Sequence, residues 1–305
     1  HFHTDHPVFS CSIIEQKQLN TWVSFQSAEQ PLLGQFSVSG NKCVELDIAG
    51  AVATVRLNRP EKHNSVSTQL LMELIACGKH LKSNKDIRAV IITGNGPSFC
   101  SGMDLKDIMT GGVMKKIMAF LPLWKPWTNR YQKVSLVWRS LSVPVIAAVH
   151  GNCFGAGLQI ALGADIRVAA PDAQLSIMES VWGLVPDMGG TVLLRELLPK
   201  DVAMELTFSG RIIDANQAKE LGLVTHVADD PVAFARSLCQ EFEKHSPDAI
   251  AAGKRLLIGS WSGSEFSALR LERLWQRRVI GKRNQGIAVA KRLKKSQQSY
   301  QRRTW

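Results

Sequence analysis

The chain has no apolar run approaching the ~20 residues that span a bilayer, and its 45% apolar content is ordinary for a soluble globular protein. It has no CxxC pair. Its six cysteines, Cys11, Cys43, Cys77, Cys100, Cys153 and Cys239, are scattered, and no Cys/His cluster has metal-ligand spacing, so no metal is expected. Reduced, mostly buried thiols in a reducing compartment are expected instead. The turn GNGPSF at Gly94–Phe99 is not followed by Gly-Lys-Ser/Thr, which excludes a Walker-type phosphate loop. No G-x-G-x-x-G opens a helix directly after a strand with an acidic residue in register, which excludes the dinucleotide fingerprint. The first forty residues contain no arginine but include Asp5, Glu15 and Glu29. They also lack a compact apolar core, so they resemble neither an organelle-targeting nor a secretory leader.

A chain of 305 residues buries a full core and suggests one large domain, or one domain with a small appendage. Residues 1–40 read as an irregular N-terminal extension, and the first six as a cloning remnant or a truncation. Residues 41–245 read as an α/β core, and residues 246–305 as a helical region with a basic tail. The net charge of +11 sits largely in that tail: Lys282, Arg283, Lys291, Arg292, Lys294, Lys295, Arg302 and Arg303. A solvated, partly helical tail is the expected reading. Few aromatics interleave with these cations and no nucleic-acid module accompanies them, so nucleic acid is not the expected partner.

From Cys43 the pattern becomes α/β. CVELDIAGAVATVRLN reads as two strands joined at Ala49-Gly50. From Ser67, Leu70, Leu71, Leu74, Ile75, Gly78 and Leu81 recur at helical spacing. Ala89–Thr93, Val145–Val149 and Ile166–Ala169 read as buried strands. Helices are expected over Trp127–Leu141, Val192–Leu198, Ala203–Ser209, Ala215–Leu221, Pro231–His245, Pro247–Ile258 and Glu265–Gly281. Strands alternating with helices indicate a βαβ architecture. Thr110–Pro126 carries no clear fold signal and is expected to be mobile or variable.

The most informative stretch is Pro144–Gly190. Two apolar β-type runs flank a Gly-rich turn and a short helix, and Glu179 and Asp187 follow, eight residues apart. A Gly-rich turn opening a helix exposes backbone N–H groups able to hold an oxyanion. Carboxylates beside it can move protons. Enolate chemistry on a thioester needs both. Asp187, just before a Gly-Gly that opens a helix, also reads as an N-cap. Glu179 lies in the apolar run IMESVWGLV with no basic neighbour, which predicts either solvent exposure or burial with a raised pKa.

GNCFGAGLQIALGAD resembles the helix-opening motif of the enoyl-CoA hydratase/isomerase (crotonase) superfamily. The resemblance extends upstream to AVATVRLNRPEKHNSVS and VIITGNGPSFCSGMDLKD, and downstream to FSGRIIDANQAKELGLVTHV. It therefore runs from Val44 to Lys254 with the motifs in order. It implies the ClpP/crotonase-like α/β fold of repeated ββα units. It also implies C-terminal helices that complete the active site and pack subunits into a homotrimer, usually paired as a hexamer. The implied substrate is an acyl-CoA thioester, with coenzyme A part of the substrate rather than a separate cofactor. The implied compartment is cytoplasmic, or mitochondrial or peroxisomal in a eukaryote.

Residue by residue, the resemblance places one oxyanion-hole N–H at Met103, within Ser101-Gly102-Met103-Asp104-Leu105, and the other at Ala156, within Gly155-Ala156-Gly157. The glycines are expected to let the thioester approach the main chain, and the helix to add its positive end. Hydratases of the family use two glutamates. The first position is Gln159 here, whose amide does not titrate, and the second is Glu179. Asp187 stands where simple hydratases carry a small residue, and this is similar to Δ3,5-Δ2,4-dienoyl-CoA isomerases. In those enzymes the Asp and the Glu flank the acyl chain, one removing a proton and the other delivering one further along the conjugated system. They also carry an Asp where this chain has Gln159. Glu179 alone would suffice for a Δ3,Δ2-enoyl-CoA isomerase. Gln159, Gly155, Asp104, Lys106, Arg59 and Lys62 are the expected substrate contacts, with Gln159 bonding a substrate group or orienting a water. The expected function is an enoyl- or dienoyl-CoA isomerase of fatty-acid metabolism. The alternatives are an enoyl-CoA hydratase using Glu179 with Gln159 positioning water, and a catalytically silent CoA- or RNA-binding relative.

Overall fold

The structure, a computed structural model, describes Lys42–Asp104, Gly112, Ile117 and Phe120–Trp305. All of these residues belong to one compact unit, Leu33–Trp305. The expectations for residues 1–40, for Lys106 and for about half of Thr110–Pro126 fall outside the described residues. Among the described residues of the last segment, Ile117 and Phe120 are helical and Leu121–Trp124 forms a 3-10 turn.

Strands β1 (Val44–Ala49) and β2 (Val52–Leu57) form an antiparallel hairpin about Gly50, as the spacing predicts. Parallel strands β3 (Ala89–Gly94), β4 (Val145–Val149), β6 (Ile166–Ala169) and β9 (His226–Val227) extend it into a six-stranded sheet of order β1-β2-β3-β4-β6-β9. A second sheet, order β5-β7-β8, joins β5 (Asn152–Phe154), β7 (Gln174–Ser176) and β8 (Ile213–Asp214). Its short strands and β9 are not apparent in the sequence pattern, because two or three residues carry no readable period.

β3 and β4 are apolar throughout because both faces are covered. Val90, Ile92, Val145 and Ala147 face the main core, with helices α1 (Thr68–Ser83), α2 (Arg130–Arg139) and α3 (Ala156–Leu162). Ala89, Ile91, Ile146 and Ala148 face the opposite layer, where Ala235 and Cys239 of α7 (Pro231–Glu243) cover them. α1 is capped by Ser67, whose hydroxyl accepts from Leu70 N at 3.2 Å, and it buries the six residues that its spacing predicts. α2 starts later than expected, at Arg130, because Asn129 and Gln132 form a reciprocal capping box that fixes the start. Helices α4 (Gly190–Leu197), α5 (Lys200–Ser209) and α6 (Ala215–Leu221) complete the α/β part.

Beyond Ser246, α8 (Pro247–Ser260) and α9 (Glu265–Val279) pack on each other, and α10 (Arg283–Lys294) follows. The solvated-tail reading needs correction at its far end. Arg303 is 4% exposed, and its guanidinium donates to the Asn84 and Trp305 carbonyls. Arg302 pairs with Asp86 at 3.0 Å. Thr304 N donates to the buried Asp248 carboxylate at 2.6 Å, beside Asn284 Nδ2 at 2.8 Å. The tail thus bridges α8, α10 and the loop between α1 and β3.

Candidate active site

The segment Cys100–Asp104 runs between two others. On one side Cys100 N donates to Asn152 O at 2.9 Å, and Cys100 O accepts from Phe154 N at 3.0 Å. On the other, Gly102 O accepts from Val66 N at 2.8 Å and Asp104 N donates to Val66 O at 3.1 Å. In this parallel bridge the intervening residue, Met103, turns its own N–H away from Val66.

Gly155 follows β5 with φ +48°, a left-handed conformation that favours glycine, and its N–H is taken by Ser176 O at 2.9 Å. The chain then enters α3 at Ala156, whose N–H, as the first of the helix, has no acceptor within it. Gly157 serves packing rather than thioester approach. A Cβ there would stand 2.5 Å from Cys100 O and 2.7 Å from Cys100 Cβ, so glycine brings α3 onto the strand that carries Met103. Met103 and Ala156 line the same cavity, of about 700 Å³.

Glu179 and Asp187 line that cavity too, together with Gly155, Asp104 and Lys62. Glu179 opens a 3-10 turn, Glu179–Trp182, just after β7. Its Oε1 accepts from Gln159 Nε2 at 2.5 Å, and its Oε2 is buried with no hydrogen-bond partner among the described residues. Burial pushes the Glu179 carboxyl above the ordinary value, and the nearby charge of Asp187 pushes it further. Asp187 is exposed as a residue, yet its carboxyl sits in the cavity wall, where desolvation raises it as well. It does not cap α4. The N-cap is Gly189, at φ +86°, and no side chain caps that helix end.

Gln159 is 2% exposed and lies behind the wall rather than on it. Its Oε1 accepts from Met188 N at 2.9 Å and Gly190 N at 3.0 Å. The substrate contact or water site expected of it is therefore replaced by bonds to the protein. Arg59 is likewise absent from the wall. Its guanidinium donates to Ser65 O at 2.5 Å and pairs with Asp104 at 3.1 Å, tying the Pro60–Lys62 turn to the Met103 segment. Lys62 is exposed at the cavity edge.

Sequence reasoning missed the apolar side of the cavity: Leu123, Met178, Trp182, Leu184 and Val185. Trp182 and Val185 are largely exposed, so this wall offers an apolar chain a surface beside the two carboxylates. The run IMESVWGLV held the signal, since its apolar residues follow neither a helical nor a strand period. Among the described residues no helix is long and apolar enough to cross a membrane.

Comparison with known proteins shows the family. The chain is 33% identical over 239 residues to the mitochondrial Delta(3,5)-Delta(2,4)-dienoyl-CoA isomerase of Mus musculus, covering 75% of this chain and 72% of that one. It is 35% identical over 211 residues to enoyl-CoA hydratase EchA19 of Mycobacterium tuberculosis, covering 68% and 74%. Among solved structures, enoyl-CoA hydratase from Bacillus anthracis matches with a TM-score of 0.78 at 28% identity, over 85% of this chain and 98% of that one. A putative enoyl-CoA hydratase from Thermobifida fusca in complex with CoA matches with a TM-score of 0.70 at 33% identity, over 78% and 92%. The family model for enoyl-CoA hydratase/isomerase matches residues 47–299. The chain, with its α/β core and C-terminal helices, therefore belongs to the enoyl-CoA hydratase/isomerase (crotonase) family.

Proposed function

We propose that this protein is a dienoyl-CoA isomerase: it takes a 3,5-dienoyl-CoA and moves its double bonds into conjugation with the thioester. One observation carries the reading. Two carboxylates, Glu179 and Asp187, line the same cavity as Met103 and Ala156, while Gln159, at the position of a hydratase's first glutamate, is bonded away behind the wall. The N–H groups of Met103 and Ala156 hold the thioester oxygen as negative charge gathers on it, each contributing on the order of 10²–10³ in rate. One carboxylate removes the proton from the carbon next to the thioester. The other, in its acid form, returns a proton at the far end of the conjugated system, so the net charge of the pair is unchanged.

That exchange needs one acid and one base at the same pH. Burial raises both carboxyls, and the charge of Asp187 raises Glu179 further, which favours a pair holding one proton between them. Lys62, at the cavity edge, and Asp104, held by Arg59, are the proposed contacts toward the CoA end. The apolar side from Trp182 to Val185 takes the acyl chain. Helices α8–α10 are proposed to pack subunits into a trimer or a pair of trimers.

Ultraviolet spectra test the reading. Purified protein mixed with a 3,5-dienoyl-CoA is expected to produce the absorbance of the 2,4-conjugated thioester. Glu179→Gln and Asp187→Asn are each expected to lower kcat/KM by about 10²–10⁴-fold with the fold intact. Turnover of a 2-enoyl-CoA alone, read as loss of its chromophore, would make the protein a hydratase instead. Turnover of neither, with CoA bound, would point to a silent binding protein.

A further inference from the structure

We propose that Gln159 is the positioning residue of this site: its side-chain amide fixes which oxygen of Glu179 accepts a hydrogen bond and ties that carboxyl to the loop carrying Asp187. The inference rests on the isomerase reading for its chemical meaning, though not for its test.

The amide has only one orientation here. Met188 N and Gly190 N both point at one atom of the Gln159 side chain, at 2.9 and 3.0 Å, and a backbone N–H can be received only by the carbonyl oxygen. Nε2 therefore faces Glu179, and it donates to Oε1 at 2.5 Å. An amide cannot give up or take a proton in the working range, so Oε1 stays an acceptor in both states of the carboxyl. The proton of the acid form is then carried by Oε2, the oxygen with no partner among the described residues.

The same amide sets the reach of the second carboxyl. Met188 follows Asp187 directly, and Gly190 opens α4. Glycine at 190 leaves the amide its place, because a Cβ there would lie 2.6 Å from Gln159 Oε1 and the amide would have to shift. One side chain on the buried helix α3 thus holds the Glu179 carboxyl with its donor and the Asp187 loop with its acceptor. A glutamate at position 159 would keep the acceptor but, once ionised, lose the donor and set a like charge against Glu179. Among the described residues, the charged groups facing Glu179 from the elements around the cavity are Asp187 on its loop, Asp104 beside Met103, and Lys62 at the edge. Of these, only Asp187 adds to the raised state of Glu179.

The test is a titration of Glu179 itself. In protein labelled with carboxyl-13C glutamate, the Glu179 resonance is assigned by its absence in Glu179→Gln. In Gln159→Glu and Gln159→Met, Glu179 is expected to ionise about one pH unit or more higher than in the wild-type protein, a roughly tenfold gain in proton affinity. Gln159→Glu is close to isosteric, so it reports even where Gln159→Met does not fold, and circular dichroism controls for that. Glu179 titrating at the wild-type pH in a folded Gln159→Glu protein would overturn the proposal, since a merely packing side chain would leave the titration in place. In the isomerase assay the pH profile of kcat/KM is expected to move in the same direction. Should no dienoyl-CoA be turned over, the isomerase reading fails while the titration still decides the role of Gln159.

Discussion

Once ionised, the buried Glu179 carboxylate works against the folded state. Burial, and secondarily the charge of Asp187, hold its carboxyl above the unfolded value, although the Gln159 bond works the other way. The folded protein therefore binds this proton more tightly than the unfolded chain does. The resulting stabilisation is complete below the ordinary glutamate range and is lost as pH rises through the folded value. Replacing the group by a neutral isostere removes that dependence. Glu179→Gln is expected to melt at a higher temperature than the wild-type protein at about pH 8, with the gain shrinking toward about pH 4. Thermal melts across that range check it, and an equal gain at every pH would show that titration is not the cause. Arg59 teaches a second lesson at this scale. Its sequence position suggests a CoA contact, yet its ion pair with Asp104 spans 45 residues of chain and holds two walls of the site together.

The element that would build the proposed oxyanion hole is a pair, not a helix. α3 carries Ala156, the Cys100–Asp104 segment carries Met103, and Gly157 sets the distance between them. Gly157→Ala would place a methyl group 2.5 Å from Cys100 O, a backbone atom with little room to give. The substitution is expected to cost about 1–3 kcal/mol in urea denaturation and to lower kcat. Gly253→Ala provides the contrast. It lies within α8, where a Cβ meets nothing within 4 Å, so a neutral change or a gain of about 0.5–1 kcal/mol is expected. Equal losses from both would mean that helical glycine in general, rather than the contact at Cys100, governs stability.

Over the whole molecule, Asp248 joins the C-terminal helices to the tail. It is buried in the first turn of α8 and accepts from Asn284 Nδ2, Thr304 N and Thr304 Oγ1. Asp248→Ala removes the acceptor that these donors share, leaving Asn284 Nδ2 only its 3.2 Å bond to Gln301 O, and a loss of about 1–3 kcal/mol is expected in denaturant unfolding. Limited proteolysis is expected to cut first among residues 296–305, which the carboxylate otherwise holds down. An unchanged cleavage pattern would show that Arg303 and its bond to the Asn84 carbonyl suffice to hold the tail.

Much of this was readable from residue order alone. The six buried positions of α1, the two-faced burial of β3 and β4, and the Ala215–Leu221 helix follow from side-chain period, because a local period forms wherever one face or two must be apolar. The chemical groups of the site were likewise written in the motifs: two glycine turns offering N–H groups, then Glu179 and Asp187. What only the tertiary structure decided is how those groups meet. Gln159 is a polar residue in an apolar helix, and nothing local says whether its amide faces a substrate or a protein carboxylate. Contacts across 20 and about 30 residues settle that, by presenting two N–H donors to one side and Glu179 to the other. The periodicity of a chain fixes which face is buried, while the partner of a buried polar group depends on whichever distant segment is folded against it.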